Sequence, residues 1–320
     1  MKLGTHIFRI IVGALFVFSG FVKLVDPIGS QYKFQEYFSE GVLNLEFLIP
    51  YALPFAILLI LTEILLGVMV LIGYKPKFTV WSLLLITLLF LFLTWYSAYY
   101  NKVTDCGCFG DALKLSPWET FYKNVFLIGL ILFLLLKLKW IQPIFKGKAP
   151  KIITFLSLVV FLFITQHVLV HLPIIDFRAY AIGKNITEGM QYQGDGEIPP
   201  VHDFMLEDSQ NDLAPEILAK EKVMLVIVYN ADKSDNSGFP AIRKISKKAI
   251  QKGYTVYGVS ASFSSDLVAL QEKYELPFEF LFCDETTLKT MIRANPGVII
   301  LNKGTVVDKK NFIDVDQIKL

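Results

Sequence analysis

Cysteine is scarce in this 320-residue chain, with only Cys106, Cys108 and Cys283, and no Cys-x-x-Cys occurs. No further Cys or His stands close enough to Cys106 and Cys108 in sequence to complete a zinc site, so no metal centre is expected there. The four histidines form no His-Glu-x-x-His pattern. His167 and His171, four apart, lack a third ligand and read as an interfacial pair on one face of a helix. A charge surplus is also missing: 31 basic residues oppose 29 acidic ones, a net charge of +2 that gives no reason to expect a nucleic-acid partner. The first apolar segment has no clean Ala-x-Ala cleavage site and ends in Lys23 and Asp26, so it reads as a retained helix and not a removed signal peptide.

Apolar residues are abundant: 54% of the chain is hydrophobic and the mean hydropathy is +0.50, too apolar for one soluble domain. Five windows approach the ~20 residues that a helix needs to cross a bilayer. They cover roughly 5–25, 51–73, 78–100, 120–139 and 152–172. Basic residues collect in alternate loops: Lys2 and Arg9, then Lys75 and Lys77, then Lys137, Lys139, Lys146, Lys148 and Lys151. That bias predicts a cytoplasmic N-terminus in an inner membrane, with residues after 172 on the periplasmic side. Trp95, Tyr96, Tyr99 and Tyr100 form an expected interfacial belt at the outer end of the third span.

Beyond residue 172 the pattern changes. Gly189, Gly194, Gly196, Pro199 and Pro200 punctuate an expected linker over 176–197. Strand-length apolar runs then alternate with helical ones: strands over 222–230, 254–260, 278–283 and 297–302, helices over 241–252, 266–274 and 286–294. The expected fold is therefore a polytopic helical membrane bundle followed by an extracytoplasmic α/β domain at 198–320.

Two features carry candidate chemistry. Asp105-Cys106-Gly107-Cys108-Phe109-Gly110-Asp111 is a polar turn between two apolar spans. With one residue between them, Cys106 and Cys108 can reach the ~4.4–6.8 Å Cα separation of a disulfide if Gly107 bends the backbone. The turn falls on the side where disulfides persist, and it offers a redox pair, a disulfide that forms once, or a tight turn with two incidental thiols. Asp105 and Asp111 disfavour thiolates there unless Lys102 and Lys114 compensate. Glu63 lies near the middle of the second span, where a carboxylate is costly and so marks a functional candidate: an intramembrane acid, a quinone contact, or an ion-pair partner of Lys23 or Lys123. Cys283 reads as a small core residue beside Asp284 and Glu285, with exchange with the Cys106/Cys108 pair as the sharper alternative.

The run Gly13-Ala14-Leu15-Phe16-Val17-Phe18-Ser19-Gly20-Phe21-Val22-Lys23-Leu24, with Glu63 and Gly67, resembles the DoxX-like membrane family, and the Cys-Gly-Cys-Phe-Gly turn is similar to its MauE branch. The resemblance covers roughly residues 1–145 as a four-helix domain, leaving 146–175 as a fifth helix. It implies work around thiol-disulfide chemistry: MauE proteins are linked to disulfide formation in an exported dehydrogenase subunit, and DoxX relatives to sulfur or quinol oxidation, which brings in a quinone as a candidate cofactor. Quinone-linked disulfide-forming enzymes share the four-helix plan but carry a Cys-x-x-Cys and a second cysteine pair, both missing here. Residues 198–320 resemble a thioredoxin-like domain through Asn295-Pro296-Gly297-Val298-Ile299-Ile300-Leu301-Asn302-Lys303-Gly304, which implies client binding at Asn295 and Pro296. Its loop 231–238 has no cysteine. The resulting expectation is a protein assisting thiol-disulfide chemistry, folding or assembly of an exported client. The alternative is a non-enzymatic scaffold or accessory subunit of a larger membrane complex, in contact with membrane lipid and with no nucleic acid.

Overall fold

The computed structural model describes residues 2–103, 107–113, 115–192, 194 and 198–320. The chain divides into two compact units, Met1–Leu169 and Val170–Leu320. Among the described residues five helices are long and apolar enough to cross a membrane: Lys2–Val25, Glu46–Ile72, Pro76–Tyr100, Pro117–Leu136 and Ala149–Val170. All five coincide with the expected windows, because uninterrupted hydropathy of that length admits no other element.

The helices are α1 (Lys2–Val25), α2 (Pro27–Phe38), α3 (Ala52–Ile72), α4 (Pro76–Tyr100), α5 (Pro117–Leu136) and α6 (Ala149–Val170). The short α2 lies where only a loop was expected. Asp26 caps it by accepting from the Gly29 amide at 3.0 Å, and Pro27 occupies its first turn, where a missing N–H costs nothing. Glycine sets the closest helix contact. A Cβ on Gly20 would stand 2.7 Å from Ile64 Cβ and 2.9 Å from Ile64 Cα, and one on Gly67 would stand 2.8 Å from the Val17 amide nitrogen. α1 and α3 thus touch backbone to backbone, the use of small residues expected where lipid supplies no hydrophobic drive for helix association. Gly20→Val is expected to force these helices apart, at about 1–3 kcal/mol of overpacking. Thermal unfolding in detergent checks this, and a parental melting temperature would contradict the contact.

Arg9 does not project into water as a loop cation would. It is buried and donates to the Gln142 carbonyl at 3.0 Å, tying α1 to the segment after α5. Trp95, Tyr96, Tyr99 and Tyr100 pack as one ring cluster, with Tyr96 and Tyr100 centroids 4.9 Å apart, and the Tyr96 hydroxyl donates to the Val42 carbonyl at 2.8 Å.

In the second unit two short helices, α7 (Ile186–Gly189) and α8 (Ala214–Ala219), precede β1 (Val223–Ile227), α9 (Phe239–Gln251), β2 (Thr255–Ser260), α10 (Ser264–Tyr274), β3 (Phe280–Phe282), α11 (Glu285–Met291), β4 (Gly297–Asn302) and β5 (Thr305–Asn311). The sheet order is β3-β2-β1-β4-β5. β1 runs parallel to β2 and β2 to β3, while β4 is antiparallel to both β1 and β5. β1 is central: Val223, Leu225 and Ile227 enter one core, and Met224, Val226 and Val228 enter the other. Burial on both faces is why its sequence shows a continuous apolar run and no alternation. The stretch read as a linker contributes Tyr180 and Ile186 to the first of these cores.

α6 ends at Val170, so His171 lies beyond the helix that was to hold it and His167 on one face. Its Nδ1 hydrogen-bonds the Asp314 carboxylate at 2.7 Å. Among the described residues no group of three or more His, Cys, Asp or Glu side chains is placed to hold a metal.

Candidate functional site

The intramembrane carboxylate has a partner. Glu63 on α3 and Lys23 on α1 pair at 2.8 Å through Oε2 and 3.1 Å through Oε1, with side chains only 3% and 7% exposed. Of the two lysines that the sequence offered, the glycine contact between α1 and α3 selects Lys23. The pair extends outward. Lys23 Nζ also donates to Ser19 Oγ at 2.9 Å, one helical turn earlier, and the Ser19 hydroxyl donates to the Cys108 carbonyl at 2.6 Å. A continuous buried chain therefore runs from the Glu63 carboxylate through Lys23 and Ser19 to the backbone of the Cys-Gly-Cys turn. Charged donors and acceptors strengthen such bonds where water is excluded.

Gly107 adopts φ +64° and Gly110 φ +49°, left-handed conformations that glycine takes without penalty. They fold the turn inward, so Cys108 and Phe109 are buried beneath it. Lys123 of α5 sits over the Phe109 ring, 4.4 Å from its centroid, and Lys23 lies 5.5 Å from the Phe90 centroid. Cys108 is a buried free cysteine. Cys106, with Asp105 and Lys114, lies outside the described residues, so the geometry of the pair does too. Asp111 is exposed, while Lys123 and Lys33 approach the turn from the helix side.

Two small cavities meet at Cys108. One, of about 20 Å³, is lined by Ser19, Glu63, Thr87, Cys108, Lys123 and Asn124 among others. The other, of about 60 Å³, is lined by Lys23, Lys33, Tyr37, Phe90, Gly107 and Cys108 among others. The first has room for a single water with several polar partners. Both are smaller than the ~300–1,000 Å³ typical of pockets for drug-sized ligands. Glu63 is engaged with Lys23 beside these spaces.

In the second unit Cys283 follows β3 and is buried. Burial, with the Asp284 and Glu207 charges adding to it, pushes its thiol up to about 12. It stays protonated at neutral pH and is a poor nucleophile. Asn295 and Pro296 are buried as well, and the peptide between them is cis. Asn295 Nδ2 donates to the Asn230 carbonyl at 2.7 Å, and its own carbonyl accepts from the Asp235 amide at 2.9 Å. The pair closes against the loop after β1 and does not present an open surface.

A second charge cluster joins the start of this unit to β5. Lys309 Nζ donates to Asp176 Oδ2 at 2.6 Å and to the Tyr180 and Met291 carbonyls at 3.0 and 2.8 Å. Arg178 holds the same carboxylate through Nε at 2.7 Å and Nη2 at 2.9 Å. Burial alone would raise the Asp176 carboxyl, but the facing Arg178 and Lys309 outweigh it and hold it down at about 2. Lys309 is pushed down to about 8, first by burial and then by the neighbouring Arg178.

Sequence reasoning named Glu63 and Cys108 but missed Ser19 as a site residue, and treated Lys23 and Lys123 only as alternative ion-pair partners. A signal for Ser19 was present: Ser19 and Lys23 are four apart, hence on one face of α1, and Gly20 marks the close approach to α3.

Residues 1–137 match the family model described as methylamine utilisation protein MauE and carry a domain of that family. No curated protein and no solved structure matches the chain.

Proposed function

From the MauE-family domain at residues 1–137, we propose that the protein assists disulfide formation in exported proteins, with Cys106 and Cys108 as its exchanging pair. The observation that carries this reading is the buried line Glu63–Lys23–Ser19–Cys108. Ionised groups inside an apolar bundle are expensive and tend to mark function, and this set converges on the turn. In the exchange, a client thiolate attacks one sulfur of the Cys106–Cys108 disulfide and the other leaves as a thiolate. The client's second thiolate then resolves the mixed disulfide, so the client is oxidised and the turn reduced.

In this reading the membrane is the inner membrane, the N-terminus is cytoplasmic, and the turn and the C-terminal unit are periplasmic. The distribution of loop lysines supports that orientation. The parallel β1-α9-β2 crossover beside the antiparallel β4–β5 hairpin supports a thioredoxin-like C-terminal unit. Without cysteines in its 231–238 loop, that unit serves as a holder of the client near Asn295 and Pro296, once the loop contact to Asn295 opens.

The test is differential alkylation of Cys106 and Cys108 in cells, with and without reductant stress, beside the thiol state of exported proteins. The expected result is a mixed population that shifts with stress, and accumulation of reduced exported proteins in the Cys106→Ser/Cys108→Ser variant. A pair that stays oxidised throughout, with exported disulfides unaffected by the double substitution, would leave the protein a membrane scaffold.

A further inference from the structure

Three lysines line the interior side of the Cys-Gly-Cys turn, and two of them stand in ion pairs with glutamates. The charged residues lining the two cavities that Cys108 shares are Lys23, Lys33, Lys123 and Glu63. Lys33 pairs with Glu36 at 2.9 Å on α2, and Lys23 pairs with Glu63. Lys123 adds a further positive charge, held over the ring of Phe109, the residue that follows Cys108. Lys123 and Glu63 face Cys108 across one interior cavity of about 20 Å³, where charge is screened less than at an exposed surface.

We propose that Lys123 stabilises the thiolate released at Cys108 when the Cys106–Cys108 disulfide opens. Cys108 is then the leaving sulfur, and Cys106 is the sulfur that a client thiolate attacks. The step balances within the exchange: the client sulfur bonds to Cys106 Sγ, the Sγ–Sγ bond breaks, and its electron pair stays on Cys108 Sγ. The place of Cys108 in the cavity it shares with Lys123 fits this division, because the sulfur whose thiolate is better stabilised leaves faster. Glu63 opposes the stabilisation, being the one carboxylate that lines the same cavity as Cys108 and Lys123 among the described residues. The inference rests on the exchange reading above, but it makes a statement about charge at Cys108 that can be measured without any client.

The measurement uses the full chain in lipid nanodiscs with Cys106→Ser and Cys283→Ser, so that Cys108 is the sole thiol. The rate of its modification by methyl methanethiosulfonate at fixed pH is read by mass spectrometry. Lys123→Met is expected to slow modification about tenfold, Lys123→Arg to restore it, and Glu63→Gln to accelerate it by a similar factor. A purely structural role for these side chains would move both neutralising variants in the same direction. An unchanged rate in Lys123→Met, or a slower one in Glu63→Gln, in protein that keeps the parental melting temperature overturns the proposal. If Lys123→Met does not insert, Lys123→Gln makes the same charge change with a polar side chain. Cellular alkylation of the intact pair separates the two readings. Rates that follow charge in a turn that never cycles uphold the charge assignment and remove the exchange, and rates indifferent to charge in a turn that cycles do the reverse.

Discussion

Lys23→Met is expected to destabilise the membrane unit by about 3–5 kcal/mol, and Lys23→Met/Glu63→Leu to recover most of that loss. Both side chains are almost wholly buried, so removing the cation leaves a carboxylate in the bundle with its main partner gone. Taking out both charges removes the desolvation penalty together with the attraction, which is why buried pairs are often replaceable by apolar residues of similar volume. Ser19 keeps its bond to the Cys108 carbonyl in the double variant but loses the ammonium that orients its hydroxyl. Trp81, Trp95, Trp118 and Trp140 all lie within Met1–Leu169, so tryptophan fluorescence during denaturant titration reports this unit alone. A single variant as stable as the parent would show that the pair contributes nothing to the fold, and a double variant no more stable than the single one would show that the loss does not come from the unpaired carboxylate.

Asp176→Asn is expected to cost the C-terminal unit a comparable amount, about 3–5 kcal/mol, because it leaves Arg178 and Lys309 buried together without their shared anion. The same carboxylate predicts a pH dependence. Its folded value of about 2 lies below the ordinary 3.8, so its contribution is fully present above pH 3.8 and is lost as pH falls through 2. The loss amounts to about 2 kcal/mol. Lys309, depressed from 10.5 to about 8, obeys the same sign in a higher window, so stability climbs as pH rises from 8 to 10.5. Cys283 is the sole cysteine of residues 170–320 and is buried, so its alkylation in a Cys106→Ser/Cys108→Ser background reports opening of this unit. Unchanged protection of Cys283 in Asp176→Asn at neutral pH, or protection from 4,4′-dithiodipyridine, which reacts with thiols in acid, flat between pH 4 and 2, would remove the cluster from the stability of the unit.

The five membrane helices were legible because an apolar run of bilayer length has one solution. β1, β2 and β4 were legible for a related reason: interior strands flanked by polar turns show short apolar runs. α2 was missed although Asp26-Pro27 is a helix-start signal, because its twelve residues carry too little apolar character to stand out. β5 was missed because its sequence, Thr305-Val306-Val307-Asp308-Lys309-Lys310-Asn311, reads as a polar tail. Lys309 is buried there only because Asp176 and two carbonyls from elsewhere in the unit meet it.

By itself, then, the sequence determined the number of spans, the break into a membrane part and an α/β part, and the anomaly of a carboxylate in an apolar helix. Each follows from local free energies of transfer, which act residue by residue along the chain. Only the tertiary structure decided where that carboxylate's charge goes. Lys23 is 40 residues from Glu63 in sequence and Ser19 is 89 from Cys108, distances over which no local pattern carries information. The backbone contact between α1 and α3, permitted by Gly20 and Gly67, closes the first gap. The inward fold of the turn at Gly107 and Gly110 brings the Cys108 carbonyl to Ser19 and closes the second.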